Sequence, residues 1–116
     1  MKKIEAIVRL SKFDEIRDGL AAIDVNFFTL SKVEGFGLEK GEKIRYRGSS
    51  YDSKHVARLK IEVLVTEEKV DEVVEVIVEK GRTGEVGDGK IMVIGVESTT
   101  RIRTGEEGNA AILPSS

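Results

Sequence analysis

The residues of this chain best suited to holding an anion lie in Thr83-Gly84-Glu85-Val86-Gly87-Asp88-Gly89-Lys90. Glycines at 84, 87 and 89 let backbone N–H groups come close to a phosphate or carboxylate, and Lys90 adds a point charge. The glycine spacing is not that of a Walker loop, and Asp88-Gly89 equally suits an ordinary turn. A second candidate is Arg101-Ile102-Arg103. On an extended segment both guanidinium groups point the same way and can clamp phosphate oxygens, and the same pattern would also suit a charged edge strand. Gly35-Phe36-Gly37 permits close approach of a ligand, or a bulge at a strand end. Tyr46-Arg47-Gly48-Ser49-Ser50-Tyr51 offers two tyrosines, two serines and an arginine for modification or docking, or it is a solvated linker. The single histidine, His55, has no fixed carboxylate partner in the sequence pattern, which argues against acid–base work. Nothing resembles a nucleophilic triad or an all-protein metal site.

These residues need a scaffold, and the composition limits what it can be. A chain of 116 residues suits one domain. Hydrophobic residues are 40% and charged residues 34%, which fits a water-soluble globular fold. A net charge of -2, with no tryptophan, gives no basis for nucleic-acid binding. With no cysteine there are no disulfides, thiolate metal sites or cysteine nucleophiles. No apolar run reaches the roughly 18 residues of a membrane span, and Met1-Lys2-Lys3 enters a strand pattern at once, unlike a signal peptide.

The periodicity then predicts the elements. Ile4, Ala6, Val8 and Leu10 alternate with Lys3, Glu5 and Arg9, a strand over 3–10. Ser11 fits an N-cap for a helix over 12–23, whose apolar face is Phe13, Ile16, Leu20 and Ile23. Residues 27–36 read as a second strand. Residues 37–56 lose all periodicity, with three glycines and eight charged side chains, and read as a long functional loop. Leu59, Ile61, Val63 and Val65 define a third strand. Thr66 fits a cap for a helix carrying Val70, Val73, Val74, Ile77 and Val78, with Gly81 as its C′ stop. Ile91 to Val96 is the last strand. The order βαβ, loop, βαβ is that of a ferredoxin-like α+β fold, a four-stranded antiparallel sheet with two helices on one face. Ile7, Leu64, Met92 and Ile94 then fall on the open face, which oligomerisation would cover.

Five segments, in this order, resemble the PII nitrogen-regulatory signal-transduction family over residues 1–112, leaving 113–116 as a tail. They are Met1 to Ile7, Val33 to Gly37, Tyr46 to Tyr51, Arg82 to Ile91, and Arg101-Ile102-Arg103-Thr104-Gly105-Glu106. The resemblance implies a cytoplasmic homotrimer that binds ATP or ADP in clefts between subunits. It assigns to that cleft Ile7, Thr29, Gly35, Phe36, Gly37, Leu38, Leu64, Gly87, Asp88, Gly89, Lys90, Arg101 and Arg103. It makes 37–56 an effector loop that docks on a protein target such as an ammonium channel or a nitrogen-assimilation enzyme, with Tyr46, Arg47 and Tyr51 in the docking surface. It makes Tyr51 and Ser49 modification candidates. Polyphosphate held in this way is stabilised without being transferred, so the resemblance implies a regulator and no enzyme.

The departures from the family set further expectations. The 2-oxoglutarate site would use residues 39, 40, 41, 58 and 87, here Glu39, Lys40, Gly41, Arg58 and Gly87. Glu39 replaces the family's usual glutamine at the Mg²⁺ that bridges ATP and 2-oxoglutarate. A carboxylate ligates Mg²⁺ well, yet adds like charge beside a triphosphate and a dicarboxylate, on the order of 4 kcal/mol at about 4 Å with an effective dielectric of about 20. Leu38 replaces a polar nucleotide contact, and Arg58 replaces a lysine of different shape. A weakened or altered 2-oxoglutarate response is therefore expected. The alternatives are a divergent PII-like module that senses another small ligand for another transport or metabolic system, and, on fold analogy alone, a phosphotransfer enzyme using His55.

Overall fold

The computed structural model describes residues 1–38 and 53–113. Glu39, Lys40, Gly41, Tyr46, Arg47, Ser49 and Tyr51 lie outside the described residues.

Strand β1 (Lys2–Arg9) sends Ile4, Ala6 and Val8 into the core, and the residues between them to the opposite face. A 3-10 turn at Leu10–Lys12 leads into helix α1 (Phe13–Ala22). Ser11 is inside that turn and caps nothing, contrary to the sequence expectation: the helix starts one residue later, at Phe13, with Lys12 at its N-cap and no side-chain cap. Thr66 likewise makes no side-chain cap, and a second 3-10 turn, Glu67–Lys69, precedes helix α2 (Val70–Gly81). In both cases a tight turn takes up the first orphan N–H groups that a cap would have satisfied.

Strands β2 (Thr29–Leu38), β3 (Ser53–Val65) and β4 (Lys90–Gly95) complete an antiparallel sheet in the order β2-β3-β1-β4. This is the ferredoxin-like arrangement expected. β2 begins at Thr29, two residues later than expected, and at its far end β2 and β3 stay paired beyond the periodic residues, as far as Leu38↔Ser53. The expected loop at 37–56 is therefore shortened at both ends, and Gly37 is a paired strand residue. This extension is defined by ladder hydrogen bonds, which demand no alternation of side chains.

Both helices cover one face. Ile16 and Leu20 of α1 and Val73 and Ile77 of α2 are buried against Ile4, Ala6, Val8, Leu59, Ile61, Val63 and Val65. Each such valine, leucine or isoleucine contributes roughly 1.5–3 kcal/mol on full burial. Val78, expected in the apolar face of α2, is 36% exposed, whereas Val76 packs on the core. Gly19 and Gly81 let the helices approach. A Cβ at Gly19 would stand 2.9 Å from Val76 Cγ1, and one at Gly81 would stand 3.3 Å from Ile16 Cδ1. Gly81 is thus a packing residue inside α2 and not its C′ stop.

The stop of α1 is of the kind expected for α2. Asp24 takes a positive φ of 66°, Val25 N–H donates to Leu20 O at 2.9 Å, and Asp24 N–H donates to Ala21 O at 3.0 Å. This is a Schellman closure with Asp24 at C′ and buried Val25 as its apolar contact. It aims the chain toward β2.

Candidate functional site

The register distributes the candidate residues over two ends of the open sheet face. Ile7 pairs with Lys60 and with Lys90, and Arg9 pairs with Arg58. Beyond them lies the turn 82–89. Gly35 pairs with Val56 at the same end, on the open face, while Phe36 turns to the other side and is 64% exposed. The pairing through Gly35 is regular, so the bulge alternative does not hold, and a Cβ there would make only an ordinary 3.7 Å contact with Val56 O. Nothing among the described residues requires glycine at 35.

The turn is built around Asp88. Its carboxylate accepts the Thr83 hydroxyl, the N–H groups of Thr83 and Gly84 at 2.9 Å each, and Arg9 Nε–H at 2.8 Å. The Thr83 hydroxyl, followed by Arg9, holds Asp88 well below the usual carboxylate range. Asp88 is thus the organiser of the turn, and its oxygens face inward. Arg9 Nη2 donates to Val86 O at 3.0 Å, and Arg58 Nη2 donates to Gly87 O at 3.0 Å. Gly87 and Gly89 have φ of 105° and 99°, and a Cβ at Gly89 would fall 1.8 Å from Ile7 O. Only glycine lets β4 enter beside β1 at that point. Lys90 is exposed and makes no ion pair with a described residue.

The other end holds Thr29, Leu64 and Arg101. With Lys3, Glu62 and the segment Ala111 to Leu113 they line one groove. Lys3 Nζ lies 3.0 Å from Glu62 and 3.4 Å from Glu5. Glu62, followed by Glu5, raises the Lys3 pKa, and Lys3 lowers that of Glu62. Arg101 does not stand on an extended strand with Arg103, as the sequence pattern suggested. Residues 102–104 form a turn closed by Gly105 N–H to Arg101 O at 2.7 Å. Arg101 pairs with Glu106 at 2.8 Å and donates to the carbonyls of Ala110 and Leu113, while Ile102 is 99% exposed. The Gly105 and Glu106 closures favour a turn over the strand that alternation implies.

The two sets are four residues apart on β1, from Ile7 to the Lys3 row that holds Leu64, or about 13 Å. Sequence reasoning missed Arg9, Lys3, Glu62 and Phe27 as parts of these ends. Arg9 had a readable signal. Two arginines opposite each other on neighbouring strands repel unless acceptors stand beside them, and here those acceptors are the turn's carbonyls and Asp88.

Among known proteins, the profile of the family described as Nitrogen regulatory protein P-II matches residues 1–106. The chain belongs to the P-II family. It is 49% identical over 112 residues to Nitrogen regulatory protein P-II of Synechocystis sp., covering 97% of this chain and 100% of that one. It is 44% identical over the same length, with the same coverage, to Nitrogen regulatory protein P-II 1 of Escherichia coli. The crystal structure of Arabidopsis thaliana PII bound to citrate superposes with a TM-score of 0.78 at 35% identity, over 99% of this chain and 92% of that one. P-II proteins are regulators of signal transduction and not enzymes, and this chain is such a regulator. No described helix is long and apolar enough to cross a membrane.

Proposed function

We propose that this P-II protein is a cytoplasmic homotrimer that senses ATP and ADP in the clefts between its subunits, and passes their state to a protein partner through 37–56. The observation that carries this reading is the separation of the candidate residues into two ends of one sheet. Gly35, Gly87, Gly89 and Lys90 at one end offer a phosphate cradle. Thr29, Leu64 and Arg101 at the other offer a groove and a cation. About 13 Å along a rigid strand keeps them apart in one subunit, whereas a neighbour's groove can meet this subunit's cradle. Phosphate would have to draw Arg101 from Glu106.

The test is complementation. Lys90→Gln and Arg101→Gln should each lose ATP binding in calorimetry. Co-refolded into mixed trimers, they should regain about a quarter of the wild-type sites, because each half-site is intact in half the copies. No recovery on mixing would place the site within one chain and sink the proposal.

The second part concerns 2-oxoglutarate. Arg58 donates to Ala57 O and Gly87 O at 3.0 Å each, so two of its five N–H donors are already committed to backbone carbonyls and fewer remain for a dicarboxylate. With Glu39 and Leu38 this supports a weakened or altered 2-oxoglutarate response and a partner choice tuned more by nucleotide than by that ligand. The partner would be an ammonium channel or a nitrogen-assimilation protein, engaged through Tyr46, Arg47 and Tyr51, with Tyr51 and Ser49 open to modification. Calorimetry with Mg-ATP and 2-oxoglutarate should give a weak isotherm that the triple change Leu38→Arg, Glu39→Gln, Arg58→Lys strengthens at least tenfold. A wild-type isotherm as tight as the triple variant's would contradict it.

A further inference from the structure

The segment between α1 and β2 carries two adjacent phenylalanines with opposite fates. The Schellman closure at Asp24 and the anchoring of Val25 fix the start of this segment, and residues 25–28 then run outside regular structure into β2. Phe28 turns inward, packs on the core, and meets Phe13 edge-on with ring centroids 6.3 Å apart at 72°. Phe27 is left 84% exposed. It lines the groove that holds Thr29, Leu64 and Arg101. A single exposed apolar side chain is ordinary, but an aromatic one held at both flanks on the wall of a candidate ligand groove has a chemical use.

We propose that Phe27 is the base-stacking residue of the nucleotide site, presenting its ring to the purine of ATP or ADP. The inference rests on the nucleotide-binding reading above and adds a specificity-determining residue to it. Lys90 and Arg101 can hold phosphate but supply no contact to a base. The Phe27 ring offers a π-face, Leu64 offers an apolar neighbour, and the Thr29 hydroxyl can hydrogen-bond the base edge. Anchored by Val25 on one side and Phe28 on the other, the ring needs little ordering when ligand arrives.

The test uses the full chain, with light scattering to follow its assembly. Phe27→Ala should weaken ATP and ADP binding by between about fivefold and about a hundredfold, the range of base–aromatic stacking. The affinity for inorganic tripolyphosphate, titrated directly by calorimetry, should stay unchanged. Phe27→Leu should lose binding as Phe27→Ala does, which separates stacking from mere apolar bulk. The chain has no tryptophan, so Phe27→Trp places a sole indole at the site. Its affinity should be retained and its emission should change with ATP but not with tripolyphosphate. Equal ATP affinity of wild type and Phe27→Ala would overturn the stacking role and leave the nucleotide site standing. So would a parallel loss of ATP, tripolyphosphate and trimer, which would make Phe27 a subunit contact. Absence of ATP binding by the wild type would instead remove the nucleotide reading together with this one.

Discussion

At the scale of single residues, the turn 82–89 depends on one carboxylate and one missing Cβ. Asp88 accepts from Thr83, Gly84 and Arg9, and its pKa is depressed in the folded state. A depressed carboxylate contributes stability that is present above its unfolded pKa, about 3.9, and is lost as pH falls through the lower folded value. Urea unfolding should therefore show wild type more stable than Asp88→Asn by a constant margin above about pH 5. The margin should close as the pH falls below about 4. A margin independent of pH down to strongly acid conditions would mean that the charge is not what holds the turn. Gly89→Ala and Gly84→Ala make a second comparison. Both residues have positive φ, 99° and 90°, so each substitution carries strain of about 1–3 kcal/mol. Only at 89 does a backbone oxygen also stand in the way, and at 84 nothing lies within 4 Å. Gly89→Ala should be the more destabilising in urea by at least about 1 kcal/mol.

At the scale of elements, the two helices meet through Gly19. Alanine there would gain up to about 1 kcal/mol in helix propensity. It would also press its Cβ on Val76 Cγ1 and Lys80 Cγ, at 2.9 and 3.0 Å. Overpacking of this kind costs about 1–3 kcal/mol, so Gly19→Ala should lower stability, and Gly19→Ala with Val76→Ala should recover part of the loss. A rise in melting temperature for the single variant would refute the tight contact. The same elements show what the sequence can and cannot disclose. β1 and the buried half of β3 are legible because every second residue enters the core. The outer ends, 37–38 of β2 and 53–56 of β3, are hidden because ladder pairing such as Gly37 with Lys54 leaves no mark in side-chain type. Ser11 and Thr66 misled for a different reason. A 3-10 turn and a side-chain cap satisfy the same orphan groups, and the sequence does not say which one forms. The candidate glycines were visible, but the work of Asp88 and Arg9 arises from contacts across about 80 residues of chain, which no local spacing encodes.

At the scale of the whole molecule, the helices protect one sheet face and leave the other uncovered within the chain. Leu64, Met92 and Ile94 are each more than a third exposed there, around the Lys3, Glu5 and Glu62 cluster. Apolar residues placed between paired charges form a face that is tolerable in water and better covered. If copies of this chain cover it, Ile94→Glu should shift light scattering from trimer toward monomer while leaving the circular dichroism of the fold unchanged. A trimer of undiminished stability in that variant would place the subunit contact elsewhere. If the proposed nucleotide site is shared between subunits, ATP titration of the same variant should lose its signal in step with the trimer.

The close approach of Gly89 to Ile7 has a hereditary side as well. Every single-base missense change from a glycine codon encodes a residue with a Cβ, and the oxygen of Ile7 stands where that atom would be. Position 89 therefore has no gentle neighbour in mutational space. A lineage cannot drift through it by small steps, and must either keep the glycine or first move β1 and β4 apart.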